Sequence, residues 1–363
     1  MARARDLGQT VDAVVLVGGL GTRLRPLTLS APKPMLPTAG APLLEHLLSR
    51  IQAAGIRHVV LGTSYQASVF SDRFGDGSPL GLEIDYVVED EPLGTGGAIR
   101  NVAGQLRGDT ALIFNGDVLS GVDLAALLER HDQAEADVTL YLTKVDDPRA
   151  FGCVPTDPDG RVLAFLEKDP NPVSDQINAG TYVFRRDVVE SIPAGRPVSV
   201  ERETFPGLLA AGARVVGFVD TGYWRDLGTP RDFVAGSADL VRGLAPSGAV
   251  PGPVGEALIL AGAVVGAGAV VRGGSTIGSN VVVGVGAVVD GSVIFDGARI
   301  AAGAIVRNSV VGFGARIGGG TVVESAVIGD RAQIGAGVEL MHGARVWPEV
   351  VLADGCIRFS ADV

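Results

Sequence analysis

Residues 16–37 read Leu-Val-Gly-Gly-Leu-Gly-Thr-Arg-Leu-Arg-Pro-Leu-Thr-Leu-Ser-Ala-Pro-Lys-Pro-Met-Leu-Pro and overlap an apolar segment, 13–17. The apolar segment predicts a buried strand that runs directly into a glycine-rich turn. Gly18, Gly19 and Gly21 leave the backbone without side chains, so several N–H groups can approach phosphate oxygens. This stretch therefore predicts a strand followed by a phosphate-binding loop.

Two cations follow the glycines. Arg23 and Lys33 can neutralise the phosphate charge that the backbone amides do not neutralise. A glycine cluster alone also occurs in ordinary tight turns. Two common phosphate motifs do not match, because the Walker motif needs Gly-Lys-Ser/Thr at a helix start and the dinucleotide fingerprint needs a third glycine where Leu24 stands. The string as a whole still predicts a loop for a triphosphate.

Segments suited to buried strands alternate with amphipathic segments in the first two thirds of the chain. The helix predicted over 42–54 ends at Gly55, and Thr229 and Pro230 predict the start of another helix that runs to about residue 240. Such alternation is typical of an α/β fold with a mainly parallel sheet. The predicted strands are 13–17, 58–62, 111–114, 138–142, 181–184 and 214–219.

The pattern changes after a proline- and glycine-rich linker, 245–256. From there aliphatic residues recur every six positions. An α-helix does not have this period, whereas a three-sided coil with one inward-facing aliphatic residue on each side does. The step shortens to five at Ile294, Val311 and Ile328, which gives units of 17 residues. The alternative, a low-complexity linker, does not explain why the register persists to Val346. We predict a catalytic domain over 1–244 and a parallel β-helix over 257–363.

Composition limits the possible functions. The 363 residues are 47% hydrophobic, so the chain can bury a large core, and the net charge of −11 argues against a nucleic-acid surface. Cys153 and Cys356 form no disulfide framework and lack metal-ligand spacing. No apolar signal-peptide segment or membrane-spanning run is present, so we expect a cytosolic protein without membrane contact.

Two carboxylates are placed for metal binding. Asp117 follows Asn115-Gly116 at the predicted end of a strand, where open α/β sheets place ligands, and Asp226 follows another predicted strand. Together they can hold Mg²⁺ that takes its remaining ligands from phosphates and water. Each aspartate alone could equally be a turn or cap residue.

Several motifs resemble sugar-1-phosphate nucleotidylyltransferases. They are the Val-Gly-Gly-x-Gly-Thr-Arg-Leu-Arg-Pro-Leu-Thr string with Pro-Lys-Pro, the Asn-Gly-Asp stretch, Tyr-Trp-Arg-Asp-Leu-Gly-Thr-Pro, and Ser-Val-Glu-Arg-Glu-Thr-Phe-Pro (199–206). The last stretch and the Val-Gly-Gly opening are most similar to the mannose-1-phosphate guanylyltransferase branch. The resemblance implies a Rossmann-like domain, a left-handed β-helix, Mg²⁺ as cofactor, and GTP and mannose 1-phosphate as substrates.

The resemblance also implies roles for individual residues. For catalysis these are Arg23, Lys33, Asp117, Lys168 and Asp226, with Asp117 and Asp226 as metal ligands. For the nucleotide they are Leu16, Gly18, Gly19, Gly21, Thr22, Arg23, Lys33, Gly94, Thr95 and Asp117. For the sugar phosphate they are Gly152, Glu167, Lys168, Asn178 and Gly180. Asp169 departs from the proline that many relatives carry after the lysine. Without the resemblance, Glu167 and Lys168 would be interpreted as a solvated surface pair.

Other functions remain open at this point. The chain could act on glucose 1-phosphate with dTTP or UTP, or it could be a non-catalytic regulatory homologue, although all five catalytic residues are present. An acyltransferase β-helix has little support, since His342 is a weak candidate for its catalytic histidine. We expect the β-helix to mediate self-association, because its terminal strands have open edges.

Overall fold

A computed structural model of the chain describes residues 10–64 and 66–358. The described chain forms two compact units. One contains the residues up to Gly19 together with Leu48–Trp224, and the other contains Leu20–Leu47 together with the residues from Arg225 onward. The domain limits inferred from sequence stay a prediction, as does the extension of the β-helix to 363, since 359–363 lie outside the described residues.

The strands up to residue 226 are short and mostly buried. They are β1 (Val11–Leu16), β2 (Pro37–Thr38), β3 (Ala41–Pro42), β4 (His58–Thr63), β5 (Glu83–Val88), β6 (Thr110–Asn115), β7 (Val118–Ser120), β8 (Val138–Lys144), β9 (Gly152–Cys153), β10 (Leu166–Glu167), β11 (Gln176–Arg185), β12 (Val215–Val219) and β13 (Trp224–Asp226). The α-helices are α1 (Leu43–Ala53), α2 (Ala67–Phe74), α3 (Gly94–Asn101), α4 (Leu124–Gln133), α5 (Arg186–Ser191), α6 (Phe205–Ala210) and α7 (Pro230–Val241).

The first unit is built on a nine-stranded sheet in the order β10-β9-β11-β6-β1-β4-β5, with β8 beside β11 and β12 beside β8. The four strands β6, β1, β4 and β5 run parallel, as do β12 and β8. This confirms the Rossmann-like α/β fold with parallel strands. Strand β11 runs antiparallel to both β6 and β8, a reversal that its apolar sequence does not reveal. The fully buried Tyr182 and Phe184 lie on β11.

The chain beyond residue 256 forms a left-handed parallel β-helix, which confirms the predicted fold. Its strands are β14 (Ala257–Ile259), β15 (Val264–Val265), β16 (Val270–Arg272), β17 (Ser275–Ile277), β18 (Val282–Val283), β19 (Val288–Asp290), β20 (Val293–Ile294), β21 (Arg299–Ile300), β22 (Ile305–Arg307), β23 (Val310–Val311), β24 (Arg316–Ile317), β25 (Val322–Glu324), β26 (Val327–Ile328), β27 (Gln333–Ile334), β28 (Glu339–Leu340), β29 (Arg345–Val346) and β30 (Val351–Leu352).

These strands stack into three parallel sheets, one on each side of the coil. We call them sheet A (β14-β17-β20-β23-β26-β29), sheet B (β15-β18-β21-β24-β27-β30) and sheet C (β16-β19-β22-β25-β28). In sheet A, Ile277, Ile294, Val311 and Ile328 stack in register and are buried. The period of six and five in the sequence therefore marks the inward-facing ladder of each sheet.

The second unit also contains the segment 20–47. It carries three short 3-10 helices, Thr22–Leu24, Leu27–Leu29 and Lys33–Met35, and the antiparallel pair β2-β3. Helix α7 begins where the sequence predicts it, since the Thr229 side chain accepts a hydrogen bond from the Asp232 N–H. No helix among the described residues has the length and apolarity needed to cross a membrane.

Candidate active site

Asp117 follows the carboxyl end of β6 in the first unit. Leu16 of β1 pairs with Asn115 of β6, and the Gly116 N–H donates to the Leu16 oxygen at 3.0 Å. A Cβ on Gly116 would lie 2.9 Å from that oxygen, so only glycine lets the chain turn here. The predicted position of Asp117, just past the end of a parallel strand, is confirmed.

The first glycines of the predicted phosphate loop differ in their surroundings. Gly18 lies against Ser64, whose Oγ would be 3.3 Å from an added Cβ. Gly19 has a φ of 117°, a conformation that side chains disfavour, and an added Cβ would meet no atom within 4 Å. The backbone of the first unit is thus bare and open at Gly19, as a loop that receives phosphate requires.

The loop continues in the second unit, where Gly21 organises the next turn. Its φ is 55°, and an added Cβ would lie 2.9 Å from Cγ2 of Thr28. Its carbonyl oxygen accepts hydrogen bonds from the Leu24 N–H at 2.9 Å and from Oγ1 of Thr28 at 2.9 Å. These bonds fix the 3-10 turn that carries Thr22 and Arg23.

Three of the predicted catalytic residues lie together in the second unit. Asp226 is the last residue of β13, and its carboxylate lies 3.6 Å from Nζ of Lys33 and 4.0 Å from the guanidinium of Arg23. The Lys33 side chain is 8% exposed, whereas that of Arg23 is 67% exposed. Gly228 lies close to both groups, since an added Cβ would lie 2.6 Å from Nη2 of Arg23 and 2.9 Å from Oδ2 of Asp226. One cation is thus fixed and the other free to follow a ligand.

The residues predicted for the sugar phosphate lie in the first unit. Nζ of Lys168 lies 3.4 Å from the carboxylate of Glu167, and the Lys168 side chain is 61% exposed. Lys168 has a φ of 51°, and its N–H donates to the Phe151 oxygen at 3.0 Å. A Cβ on Gly152 would lie 3.0 Å from Oε2 of Glu167. The glycine therefore leaves the Glu167 carboxylate unobstructed.

Asn178 and Gly180 lie at an irregularity in the pairing of β11 with β8. The Asn178 side chain accepts from the Gly180 N–H at 3.1 Å and donates to the Tyr182 hydroxyl at 2.8 Å. Gly180 packs against Asn115, whose Nδ2 would be 2.9 Å from an added Cβ. A bulge of this kind redirects side chains at the end of a strand, and it is common beside active sites.

Tyr182 joins this polar cluster and was not among the predicted site residues. Burial raises the pKa of its hydroxyl and the nearby carboxylate of Glu201 raises it further, against hydrogen bonds from Asn178 and Asn115 that lower it. Tyr182 therefore stays neutral and holds Asn178 in one orientation. Its strand reads as an ordinary apolar core segment, so the sequence offers no signal for this role.

Gly94 and Thr95 pack against the segment 198–201. An added Cβ on Gly94 would lie 2.7 Å from the Val198 oxygen, so this position requires glycine. The Thr95 hydroxyl donates to Glu201 at 2.7 Å and accepts from the Val200 N–H at 2.9 Å. Ser199 also donates to Glu201, at 2.8 Å. Two stretches that the sequence indicated separately therefore form one hydrogen-bonded cluster, centred on Glu201, which the predictions missed.

No group of three or more histidine, cysteine, aspartate or glutamate side chains is arranged for a metal among the described residues. A metal held only by Asp117 and Asp226 would need other ligands from phosphate and water, which is the coordination that Mg²⁺ favours. The carboxylate of Asp226 is 27% exposed, so it can be reached by such a complex. The chemistry of these two side chains therefore suits magnesium, and their joint role as its ligands stays a prediction.

Comparison with known families shows which family the chain belongs to. Residues 12–243 match the family described as nucleotidyl transferase, and residues 253–358 match the one described as GMPPB C-terminal domain. The chain belongs to the nucleotidyl transferase family. Together the two matches span the chain from the predicted phosphate loop to the β-helix.

Curated relatives and a solved structure place the chain further within this family. It is 64% identical to a mannose-1-phosphate guanylyltransferase of Mycobacterium tuberculosis, over 97% of this chain and 99% of the relative. It is 37% identical to mannose-1-phosphate guanylyltransferase 1 of Arabidopsis thaliana, over 70% of this chain and 73% of the relative. The crystal structure of HddC from Yersinia pseudotuberculosis complexed with GMP-PN superposes with a TM-score of 0.56 at 30% identity, over 63% of this chain and 99% of HddC.

Proposed function

We propose that this chain transfers GMP from GTP to mannose 1-phosphate, which gives GDP-mannose and pyrophosphate. The observation that carries the proposal is the 64% identity to a mannose-1-phosphate guanylyltransferase over 97% of the chain. The positions of Arg23 and Lys33 beside Asp226 add chemical support, because a triphosphate needs clustered cations.

In this reaction a phosphate oxygen of mannose 1-phosphate attacks the α-phosphorus of GTP in line, and the bond to pyrophosphate breaks. The second pKa of a phosphomonoester is about 6, so the attacking phosphate is largely dianionic at neutral pH and needs no general base. Catalysis then depends on positioning and charge neutralisation. Arg23 and Lys33 would stabilise the departing pyrophosphate, and Lys168 would hold the attacking phosphate.

Asp117 and Asp226 would hold Mg²⁺. When bound, this ion would neutralise charge on the phosphate oxygens. The ion pair of Asp226 with Lys33 orients its carboxylate before a ligand arrives. The backbone at Leu16, Gly18, Gly19, Gly21 and Thr22 would bind the triphosphate, with Gly94 and Thr95 beside the nucleoside.

The sugar would lie beside Gly152, Glu167, Asn178 and Gly180. Glu167 can accept hydrogen bonds from hydroxyls, and the Asn178 amide can donate a second one beyond its bond to Tyr182. Lys168 is exposed enough to turn from Glu167 toward a phosphate. We propose this group as the sugar-phosphate site.

Pyrophosphate release over a panel of nucleoside triphosphates and sugar 1-phosphates tests the proposal. We expect the highest kcat/KM for GTP with mannose 1-phosphate. A preference for dTTP or UTP with glucose 1-phosphate would assign the chain to another branch of the family. No turnover with any pair, at saturating Mg²⁺, would favour a regulatory homologue.

We also propose that the protein self-associates through the first coil of the β-helix, 257–274. The stretch 257–271 carries no charged residue, although the chain as a whole has a net charge of −11, and Arg272 at the end of β16 pairs with Asp290 of the next coil. The first-coil side chains Ile259 and Val264 are 50% and 58% exposed, respectively. Strands β14, β15 and β16 are the edge strands of the three sheets. A largely apolar edge best fits the same edge of a second copy. A cytosolic location stays a prediction.

A further inference from the structure

The segment that carries Arg23 and Lys33 belongs to the same compact unit as the β-helix. One direct link is a hydrogen bond from Nη1 of Arg345, on β29, to the carbonyl oxygen of Arg25 at 2.7 Å. These two residues are 320 positions apart. Arg25 directly follows the 3-10 turn Thr22–Leu24 and closes it, since its N–H donates to the Thr22 oxygen at 3.2 Å.

A second link holds the other end of the segment. The Ala39 N–H donates to Oγ of Ser237 on α7 at 2.9 Å, and this hydroxyl lies 3.3 Å from Oγ1 of Thr276 on β17. Gly40 is close to the start of the β-helix, because an added Cβ would lie 3.1 Å from Cδ1 of Leu260. Ser237 and Thr276 are both buried, so these bonds are shielded from water.

Both links reach the outer face of sheet A. Along this face Thr276, Val293, Val310, Val327 and Arg345 follow one another in register. Strands β17 and β29 are four strand spacings apart, or roughly 19 Å. The segment 20–47 is therefore fixed at two points that span most of the sheet.

The valines between these two points are buried although they face away from the coil. Val293, Val310 and Val327 are at most 2% exposed. The equivalent outward residues of sheet B, Arg299, Arg316 and Gln333, are exposed. Sheet A thus has two apolar faces, one for the core of the coil and one that packs on other parts of the protein.

We propose that the outer face of sheet A supports the phosphate-binding segment, and that Arg345 is a positioning residue for Arg23 and Lys33. The expected effect of Arg345 on turnover rests on the proposed function. A guanidinium that binds the Arg25 oxygen restrains the turn that carries Arg23, and Arg23 in turn lies beside Asp226 and above Gly228. The β-helix then contributes to catalysis without touching substrate.

The test compares Arg345→Ala and Arg345→Lys with Arg316→Ala, which removes an exposed arginine from sheet B. We expect Arg345→Ala to lower kcat by about threefold to tenfold, as the loss of one charge-assisted hydrogen bond would, with a smaller change in KM for the sugar phosphate. Lysine can still donate to the Arg25 oxygen, so Arg345→Lys should recover part of kcat. Arg316→Ala should behave as the wild type does.

Hydrogen–deuterium exchange of the amides in 22–29 gives a readout that does not depend on turnover. We expect faster exchange there in Arg345→Ala, with unchanged exchange in the strands of sheet B. If exchange and kcat both match those of the wild type, Arg345 does not position the segment. If the wild type shows no transfer with any substrate pair, the proposed function fails, and the exchange data still decide whether Arg345 restrains the segment.

Discussion

At the scale of single residues, Asp226 shows how charge is arranged before a substrate arrives. Its carboxylate lies between the buried Lys33 and the exposed Arg23, so the two proposed phosphate-binding cations are close to one carboxylate. Such preorganised charges contribute most when they need not reorient during the reaction. Lys33 is therefore in place before a ligand arrives, whereas the exposed Arg23 is still able to move toward it.

Removal of either proposed metal ligand should reduce turnover strongly. We expect Asp117→Asn and Asp226→Asn each to lower kcat by at least about a hundredfold, the effect of losing a preorganised charge. Both residues are partly exposed, so the variants should fold. Steady-state kinetics at saturating Mg²⁺ checks this, with the exposed Asp72→Asn as the control. Near-normal turnover of one variant would remove that residue from the metal site.

A second group of residues links stability to pH. His58, at the start of β4, contacts Asp12 at 2.6 Å and Asp85 at 2.9 Å. Burial alone would lower the pKa of His58, but the hydrogen bonds to Asp12 and Asp85 outweigh it and raise this pKa above 6.5, with nearby Arg107 opposing them. Burial would raise the pKa of Asp12, yet bonds from His58 and the amides of Gly108 and Arg107 lower it.

These two pKa shifts determine how the stability of the fold depends on pH. His58 has a folded-state pKa above its unfolded value, so its stabilisation is complete below about pH 6.5 and is lost as pH rises through the folded-state pKa. The folded-state pKa of Asp12 is below its ordinary value of 3.8. Asp12 therefore stabilises the fold fully above pH 3.8, and this stabilisation is lost as pH falls through the folded-state pKa.

We therefore predict that His58→Gln is most destabilising at mildly acidic pH. The difference in free energy of unfolding between wild type and variant should shrink from about pH 5.5 to about pH 9. Urea denaturation at several pH values measures it. A difference that stays constant with pH would mean that His58 does not bind an extra proton in the folded state.

At the scale of elements, the inward ladders of the β-helix hold its coils together. Val323 on β25 is fully buried, whereas Val351 on β30 is 67% exposed. The two valines differ mainly in the packing around them. Each coil covers the aliphatic side chains of the coil before it, so stability depends on neighbouring coils more than on any single strand.

This pair gives a matched test of that packing. Val323→Ala should lower the free energy of unfolding by roughly 2 to 3 kcal/mol, because it removes buried methyl groups and leaves a cavity. Val351→Ala should change it by less than about 0.5 kcal/mol, as an exposed substitution does. Chemical denaturation of both variants measures the difference. Equal effects would show that the ladder is not tightly packed at Val323.

At the scale of the whole molecule, the exposed first coil makes association the main question. Removal of all residues beyond 245 would not answer it cleanly, because Thr276 and Arg345 would be lost together with the coil. A charged side chain within the coil is a narrower change. It places repulsion in the contact and leaves the other coils intact.

We expect Ile259→Asp to reduce the number of subunits, since a carboxylate buried between two apolar edges is costly. Val285→Asp is the control, because Val285 is 61% exposed at a turn of the second coil. Light scattering of wild type and both variants measures the mass. If wild type is a monomer, or if Ile259→Asp keeps its subunit number, the first coil is not the contact.

The sequence by itself determined the features that repeat over short distances. An apolar run marks a buried strand, so β1, β4, β6, β8 and β12 were predicted within a few residues of their bounds. A period of six and five identified the β-helix, because each coil repeats the same burial pattern. The bare glycines of the predicted phosphate loop were visible for the same reason, since backbone conformation at a turn is set locally.

Only the tertiary structure decided which distant residues meet. The reversal of β11, the position of Lys33 beside Asp226, and the bond from Arg345 to Arg25 join parts of the chain that no local pattern connects. The burial of Val310 on the outer face of sheet A also cannot be predicted from the sequence, because exposed valines of the β-helix have similar neighbours in the chain. Packing between distant segments depends on the three-dimensional path of the chain, and periodicity records only which face of a strand is covered by its own coil.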